Sequence, residues 1–220
     1  MTRLTHPNLR YIGFQGDSFH LEGILSQVTI PHLEKFQAYF PYGLTLSFPA
    51  AVPHGQLIST LGNLRPNAVT LTFLDQYINL MGYPHKGARM YTSCMTIEGT
   101  GFVWQVDYIV DCCHVLRTVF SAVEHLTLKY DRHLSADWCG YPGRRQWRRL
   151  LGSFGSVKTL YVDRGLFGQL PDALEPIAEE SPMELLPELQ ELSYPSSLNP
   201  FSYFIKSRQR AGCPVTIVHP

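Results

Sequence analysis

A short apolar phrase recurs six times along this chain, and it constrains the fold more than any other feature. Each copy has an apolar residue, two variable positions, a second apolar residue, one further position and a third apolar residue. The copies are Leu9-Ile12-Phe14, Leu33-Phe36-Ala38, Ala68-Leu71-Phe73, Val123-Leu126-Leu128, Val157-Leu160-Val162 and Leu189-Leu192-Tyr194. A phrase that returns along a chain is typical of repeat architectures, which usually present extended binding surfaces. The phrase therefore favours partner recognition over catalysis.

The spacing of the copies is uneven. Their middle residues stand at positions 12, 36, 71, 126, 160 and 192, so the intervals are 24, 35, 55, 34 and 32 residues. Only the first interval falls in the range of about 20–29 residues that is usual for leucine-rich repeats. The sequence predicts an α/β fold, an irregular leucine-rich-repeat-like solenoid with strands on the concave face and helices and loops on the convex face. No linker divides the chain, so we expect a single leucine-rich-repeat-like domain over residues 1–220.

Local periodicity assigns the elements around the phrases. Apolar and polar residues alternate in His125-Leu126-Thr127-Leu128-Lys129, as in a half-buried strand. Apolar residues at three-to-four spacing predict helices over 21–28, 56–64, 106–119, 144–151 and 198–211. Gly99-Thr100-Gly101 predicts a hairpin turn between strands 90–98 and 102–108, and 215–218 reads as a last strand. We expect exposed segments over 79–88, 131–143 and 168–187.

Composition restricts the class of protein. The chain has 45% hydrophobic and 16% charged residues, as a folded globular protein does, and its 18 basic residues equal its 18 acidic ones. A nucleic acid or an anionic membrane would therefore need a local patch of charge. No run reaches the roughly 20 apolar residues of a membrane span, and the N-terminal residues lack the apolar core of a secretory signal. We expect an intracellular protein of the cytoplasm or nucleus, not bound to membrane.

Catalytic and metal-binding motifs are weak. The five cysteines form no CxxC pair and are interpreted as free thiols. Two clusters combine possible ligands, namely Asp111, Cys112, Cys113 and His114, and then His125, Asp131, His133, Asp137 and Cys139. Neither has the spacing of a metal site or of a nucleophile with its base. Glycine-rich phosphate loops and the nucleophile-elbow motif are also missing. The sequence predicts no enzyme, no cofactor and no metal.

The run Arg144-Arg145-Gln146-Trp147-Arg148-Arg149 concentrates positive charge. Four guanidinium groups beside an indole would suit a nucleic-acid phosphate backbone. Helical spacing instead predicts that the arginines point to solvent while Trp147, Leu150 and Leu151 face inward. A nucleic-acid-associated repeat protein is the alternative function, and docking of an acidic partner segment stays open.

The strand phrases themselves supply the candidate binding residues. If the apolar positions face the core, the alternate positions line the opposite face of the sheet. Aromatic residues among polar ones are favoured at protein-binding surfaces. The predicted partner-binding residues are Tyr11, Gln15, Lys35, Tyr39, Thr72, His125, Lys129, Tyr161 and Asp163.

The second half of the chain resembles a known family. The runs AVEHLTLKYD, QWRRLLGSFGSVKTLYVDRGL, ELLPELQELSYPSS and FIKSRQRAGCPVTIVHP are similar to the C-terminal leucine-rich-like region of the F-box-type proteins of mushroom-forming fungi. The similarity is carried by residues 120–220, and HPNLRYIGF adds a weaker part.

The resemblance implies a substrate-recognition module of a ubiquitin ligase. Proteins of that group carry an N-terminal F-box that docks onto the ligase adaptor, followed by a repeat region that would select substrates. Here the first phrase follows Met1 closely, and neither LPDAL at 170–174 nor LPELQEL at 186–192 heads a set of three helices. We therefore expect a protein partner of unknown identity and no direct binding to the ligase adaptor.

Overall fold

The fold is a mixed α/β structure built on one large sheet. The computed structural model describes residues 3–41, 55–99, 102–131, 142–177, 181, 184–196 and 198–219. The strands are β1 (Leu4–Thr5), β2 (Tyr11–Gln15), β3 (Val28–Thr29), β4 (Lys35–Phe40), β5 (Ala68–Phe73), β6 (Tyr77–Tyr83), β7 (Ser93–Glu98), β8 (His125–Tyr130), β9 (Thr159–Val162), β10 (Glu191–Ser193) and β11 (Thr216–Val218). The helices are α1 (Ser18–Gln27), α2 (Gly55–Leu64), α3 (Phe102–Val115), α4 (Arg117–Phe120), α5 (Arg144–Leu151), α6 (Leu170–Leu174) and α7 (Ser202–Arg210).

Nine of these strands form the large sheet, in the order β11-β10-β9-β8-β5-β6-β7-β4-β2. All neighbouring pairs are parallel except those made by β6, which runs antiparallel to β5 and β7. Strands β1 and β3 pair separately. Each of the six apolar phrases contributes a strand to the sheet, so the strand prediction is confirmed, and the last strand is confirmed within one residue.

The alternation within the phrases decides which face of the sheet is buried. In β4, Phe36, Ala38 and Phe40 are buried while the residues between them are half-exposed. The register carries this alternation across the sheet, since Leu71 pairs with Leu128 and Leu126 pairs with Leu160. These residues share one hydrophobic core with the buried residues of the helices. The helices therefore pack on one face of the sheet.

Backbone hydrogen bonds repeat where the parallel strands begin. The carbonyl of Asn67 accepts from the amides of residues 124 and 125, and that of Glu124 accepts from residues 158 and 159. The Lys158 carbonyl accepts in the same way from residues 190 and 191. The residue immediately before each strand thus binds the first residues of the neighbouring strand, and this keeps the phrases in register.

A turn with the same hydrogen bond precedes four of the phrases. The first apolar residue of the phrase donates its amide to the carbonyl three residues earlier, at Leu9, Val123, Val157 and Leu189. Copies at these four places share a local backbone geometry as well as a residue pattern.

The 55-residue interval between the third and fourth phrases contains an inserted pair of strands, but this pair differs from the predicted one. Strands β6 and β7 lie between β5 and β4, and residues 79–83 belong to β6 instead of an exposed loop. Residues 102–108 form the start of α3 and not a strand, so that half of the hairpin prediction was wrong. The buried side chain of Gln105 donates to the carbonyls of Leu74 and Gly99, which fixes the beginning of the helix beside the turn into β6.

The predicted helices 21–28, 56–64 and 198–211 are present with shifted ends, and α5 begins and ends at the predicted residues. The predicted helix 106–119 is divided into α3 and α4 at Leu116. The segment 168–187 was expected to be a surface excursion, yet Leu170, Ala173, Leu174 and Leu186 are buried. It is packed because α6 lies against α5. Residues 132–141, most of the predicted loop 131–143, lie outside the described residues. Within the described ranges, no helix combines the length and the apolar character that crossing a bilayer requires.

Candidate functional site

The face of the sheet away from the helices is the candidate site. Its side chains come from the alternate strand positions and are mostly half-exposed. The register sets them in rows that cross the strands, and one row runs through Thr70, Thr127, Tyr161 and Ser193. We call this side of the sheet the open face. Hydroxyl groups dominate this row, so it offers both donors and acceptors of hydrogen bonds.

A cleft of about 380 Å³ lies on the open face. Strands β5, β8, β9 and β10 form its floor, and residues 83–89 at the end of β6 and in the loop after it form one wall. We call this space the sheet cleft. Its volume is within the range of small-ligand pockets, about 300–1,000 Å³.

His125 lies on the floor of the sheet cleft. Its Nδ1 is 2.7 Å from Oγ1 of Thr159, the residue paired with it on β9. Burial lowers the pKa of His125, and the ammonium of Lys86 adds to this effect, while the carboxylates of Glu124 and Glu191 oppose it. The imidazole is therefore neutral at pH 7, so that one of its ring nitrogens donates a hydrogen bond and the other accepts one.

The wall of the cleft contains a tight turn. The amide of Ala88 donates to the carbonyl of His85, and Gly87 between them has φ +80°. Glycine adopts this backbone conformation without strain, as the third residue of a type II turn requires. The turn places Lys86 so that its Nζ lies 3.2 Å from Oε1 of Glu191 on β10. This ion pair joins the wall to the far side of the floor.

A second group of predicted residues lies beyond the inserted strands. The ammonium of Lys35 is 4.2 Å from the ring centre of Tyr91 and 6.0 Å from that of Tyr11. Tyr39 donates its hydroxyl to Oε2 of Glu98 at 2.9 Å, and this hydrogen bond raises the pKa of Tyr39. Contacts of a cation with aromatic rings hold these side chains in defined positions.

The remaining predicted residues have separate surroundings. Thr72 and Lys129 are paired neighbours on β5 and β8, and Lys129 is exposed. Asp163 follows β9, and its carboxylate accepts from the amide of Gly165. Gln15 is at the exposed end of β2.

Five of the nine predicted residues thus form two groups along the sheet. His125 and Tyr161 line the sheet cleft, whereas Tyr11, Lys35 and Tyr39 lie on the far side of β6 and β7. The inserted strands separate the groups, and the sequence did not indicate where they would enter the sheet.

Several residues of the cleft were missed by sequence reasoning. His85, Lys86 and Arg89 come from the wall, and Thr159 comes from the floor. The signal that was available is the concentration of two cations and a histidine around Gly87, in a chain without net charge. It was overlooked because the loop contains no apolar phrase.

Three of the four arginines of the basic helix α5 contact other segments of the chain. Arg148 donates to the carbonyls of Ala173 and Glu175, and Arg144 donates to that of Glu175. Arg149 forms an ion pair of 3.4 Å with Asp111. Arg144, Arg145 and Arg149 are exposed, as predicted, whereas Arg148 is half-exposed and its guanidinium group binds the carbonyls at the end of α6.

The possible metal clusters are only partly described. His133, Asp137 and Cys139 lie outside the described residues. In the part of the chain that the structure describes, no three His, Cys, Asp or Glu residues are grouped as ligands of one ion. Cys112 and Cys113 are buried, and burial raises the pKa of Cys112 to about 12. A thiol of this kind is protonated at neutral pH and is not a nucleophile.

Comparison of the chain with protein-family models, with curated proteins and with solved structures found no match.

Proposed function

We propose that this chain is a protein-interaction module that binds a protein partner on the open face of its sheet. The observation that carries the proposal is a nine-stranded sheet that, among the described residues, is covered by helices on one face and has a cleft with polar and aromatic side chains on the other. Tyr161 in the cleft and Tyr39 beyond it are half-exposed. Tyrosine offers a large rigid surface together with one polar group, and it is common among the residues that dominate binding.

The proposal extends to the repeat architecture of the fold. We propose that the six phrases are the units of an irregular leucine-rich-repeat-like solenoid. The shared carbonyl at the start of successive strands and the shared turn before four phrases support it. Repeat proteins of this kind use the side formed by their strands as an extended binding surface.

The resemblance to fungal F-box-type proteins suggests the process that the module serves. We propose that it selects substrates as the recognition part of a ubiquitin-ligase receptor does. The alternative, a nucleic-acid-associated protein using α5, is less favoured because Arg144 and Arg148 donate hydrogen bonds to carbonyls at the end of α6.

Quantitative affinity capture from a lysate of the source organism tests the proposal. We expect Tyr161→Ala to capture much less of the partner protein than the natural chain does. Truncating a central aromatic residue commonly weakens binding more than about tenfold. Tyr203→Ala is the matched control, since Tyr203 is exposed on α7. Circular dichroism establishes that both variants are folded.

Two results would contradict the proposal. Identical partner lists for Tyr161→Ala, Tyr39→Ala and the natural chain would show that the open face is not the binding surface. Capture of RNA or DNA with an affinity that falls steeply as salt increases would favour the nucleic-acid alternative.

A further inference from the structure

The sheet cleft has an excess of positive charge on a chain whose net charge is zero. Its wall contains the two cations Lys86 and Arg89. In the described part of the chain, Glu191 is the one carboxylate that lines it. A partner that fills this cleft is therefore favoured if it brings negative charge.

Glu191 already occupies the place of an anion beside Lys86. The pair joins Lys86 Nζ to Glu191 Oε1 at 3.2 Å, and the two side chains are 57% and 31% exposed. An ion pair that remains so accessible to water contributes little to stability. A carboxylate or phosphoryl group from outside can therefore replace Glu191 at small cost.

Arg89 is a second cation in the same loop. It is exposed, and among the described residues it has no ion pair. A guanidinium group matches the geometry of carboxylate and phosphate with two parallel hydrogen bonds. The hydroxyls of Thr127, Thr159 and Tyr161 line the floor opposite and can donate further hydrogen bonds to an anion.

We propose that the sheet cleft binds an acidic peptide segment of the partner, whose carboxylate or phosphoryl group takes the place of Glu191 beside Lys86. Arg89 binds the same segment from the wall, and the hydroxyl row of the floor supports it. This inference rests on the proposed function and names the chemistry of the partner at that site.

Fluorescence anisotropy with labelled peptides tests it. The probes are hexaglutamate, a glycine hexapeptide with one central phosphoserine, and hexaglutamine as the neutral match. Measurements at about 150 mM salt limit the influence of distant charges, because the Debye length is then about 8 Å. We expect at least one anionic probe to bind and hexaglutamine not to bind. Comparing the affinities of the two anionic probes then distinguishes a carboxylate-rich segment from a phosphorylated one.

Two matched pairs of variants locate the binding. Lys86→Gln should weaken binding by about fivefold or more, whereas Lys206→Gln, on α7 and outside the cleft, should change it less than about twofold. Glu191→Gln should strengthen binding because it removes the competing carboxylate. Glu188→Gln, an exposed residue that does not line the cleft, should have no such effect.

The inference is overturned if neither anionic probe binds, or if Lys86→Gln and Lys206→Gln weaken binding equally. It is also overturned if a single-stranded uridine oligonucleotide binds in the cleft more tightly than both peptides. Capture of a protein partner that depends on Tyr161 but not on Lys86 would overturn this inference and leave the proposed function standing.

Discussion

Gly165 lies so close to Tyr130 that there is no room for a side chain. A Cβ atom at this position would lie 2.9 Å from both Cβ and Cγ of Tyr130. These atoms are at the base of the tyrosine side chain, so the ring cannot move away by a simple rotation. We expect Gly165→Ala to lower the free energy of unfolding by about 1–3 kcal/mol, as overpacking does. Urea denaturation measures it.

Gly168 provides the control three residues later. A Cβ atom there meets nothing within 4 Å, and the backbone is not in the left-handed region. Gly168→Ala should leave stability unchanged or raise it by up to about 1 kcal/mol, because alanine restricts the unfolded chain. Equal losses for the two variants would show that the contact with Tyr130 is not the cause.

His125 should make stability depend on pH near neutrality. Burial lowers its pKa in the folded chain, below the value of about 6.5 that it has when unfolded. The unfolded chain therefore takes up the proton first as pH falls, and the contribution of His125 to stability is lost from about pH 7 downward. We expect the free energy of unfolding to fall less between pH 7.5 and about pH 5.5 for His125→Gln than for the natural chain.

Urea titrations at several pH values check this expectation. His32→Gln, at an exposed position, is the matched variant and should follow the natural chain. The expectation fails if His125→Gln and the natural chain lose stability in parallel. The charged groups that act on His125 are Lys86, Glu124, Lys158 and Glu191, and all four are retained in both variants.

At the scale of elements, a buried arginine connects α7 to the turn before β10. Arg208 is 1% exposed and donates to the carbonyls of Leu186, Pro187 and Leu189. Arg208→Met would leave the carbonyls of Pro187 and Leu189 without this donor, and each unpaired buried group costs about 1–3 kcal/mol. The carbonyl of Leu186 would keep the amide of Leu189 as its donor. We expect a loss of at least about 2 kcal/mol in urea denaturation.

Arg210 is the control in the same helix. It is exposed at the last residue of α7, so Arg210→Met should change the free energy of unfolding by less than about 0.5 kcal/mol. A comparable loss in both variants would mean that the effect comes from the charge of the helix and not from the buried contacts.

The elements that sequence predicted well are those with one dominant period. The strands of the six phrases follow from strict alternation, and α5 follows from Trp147, Leu150 and Leu151 at helical spacing. Residues 102–108 alternate as well, which suggested a strand. They form a helix because the apolar stripe continues through Val106, Ile109 and Cys113.

Strand β6 was missed for the opposite reason. Its segment contains Gly82 and precedes Pro84, two residues that usually indicate a loop. In the structure Gly82 faces Pro66 closely, so glycine is required there by packing and not by a turn. The sheet cleft was missed with it, since the wall is the loop that β6 leads into. Long-range pairing of this kind leaves no local period in the sequence.

At the scale of the whole molecule, one core connects the helices and the sheet. The buried cluster extends from Leu21 in α1 to Val215 beside β11 and includes residues of every strand from β4 to β10, and Ile12 and Phe14 of β2 pack against it. A continuous core of this kind favours unfolding in one cooperative step. The prediction of a single domain can be tested on that basis.

The cysteines provide the measurement. Cys94, Cys112 and Cys113 are free thiols that are buried, and burial raises their pKa, so alkylation by iodoacetamide requires opening of the structure. Cys213 is partly exposed and should react in the native state. Mass spectrometry of the digested protein gives the extent of alkylation at each site.

With increasing urea, Cys94 in β7 and Cys113 in α3 should become reactive together, over the range in which circular dichroism reports loss of the helices. Coincidence is expected because Cys113 belongs to the core, and Cys94 lies in β7, whose residues Met95 and Ile97 belong to the same core. Reaction of Cys94 at a clearly lower urea concentration would show that the inserted strands open on their own. The chain would then behave as two cooperative units, divided where β6 and β7 separate the first two phrases from the other four.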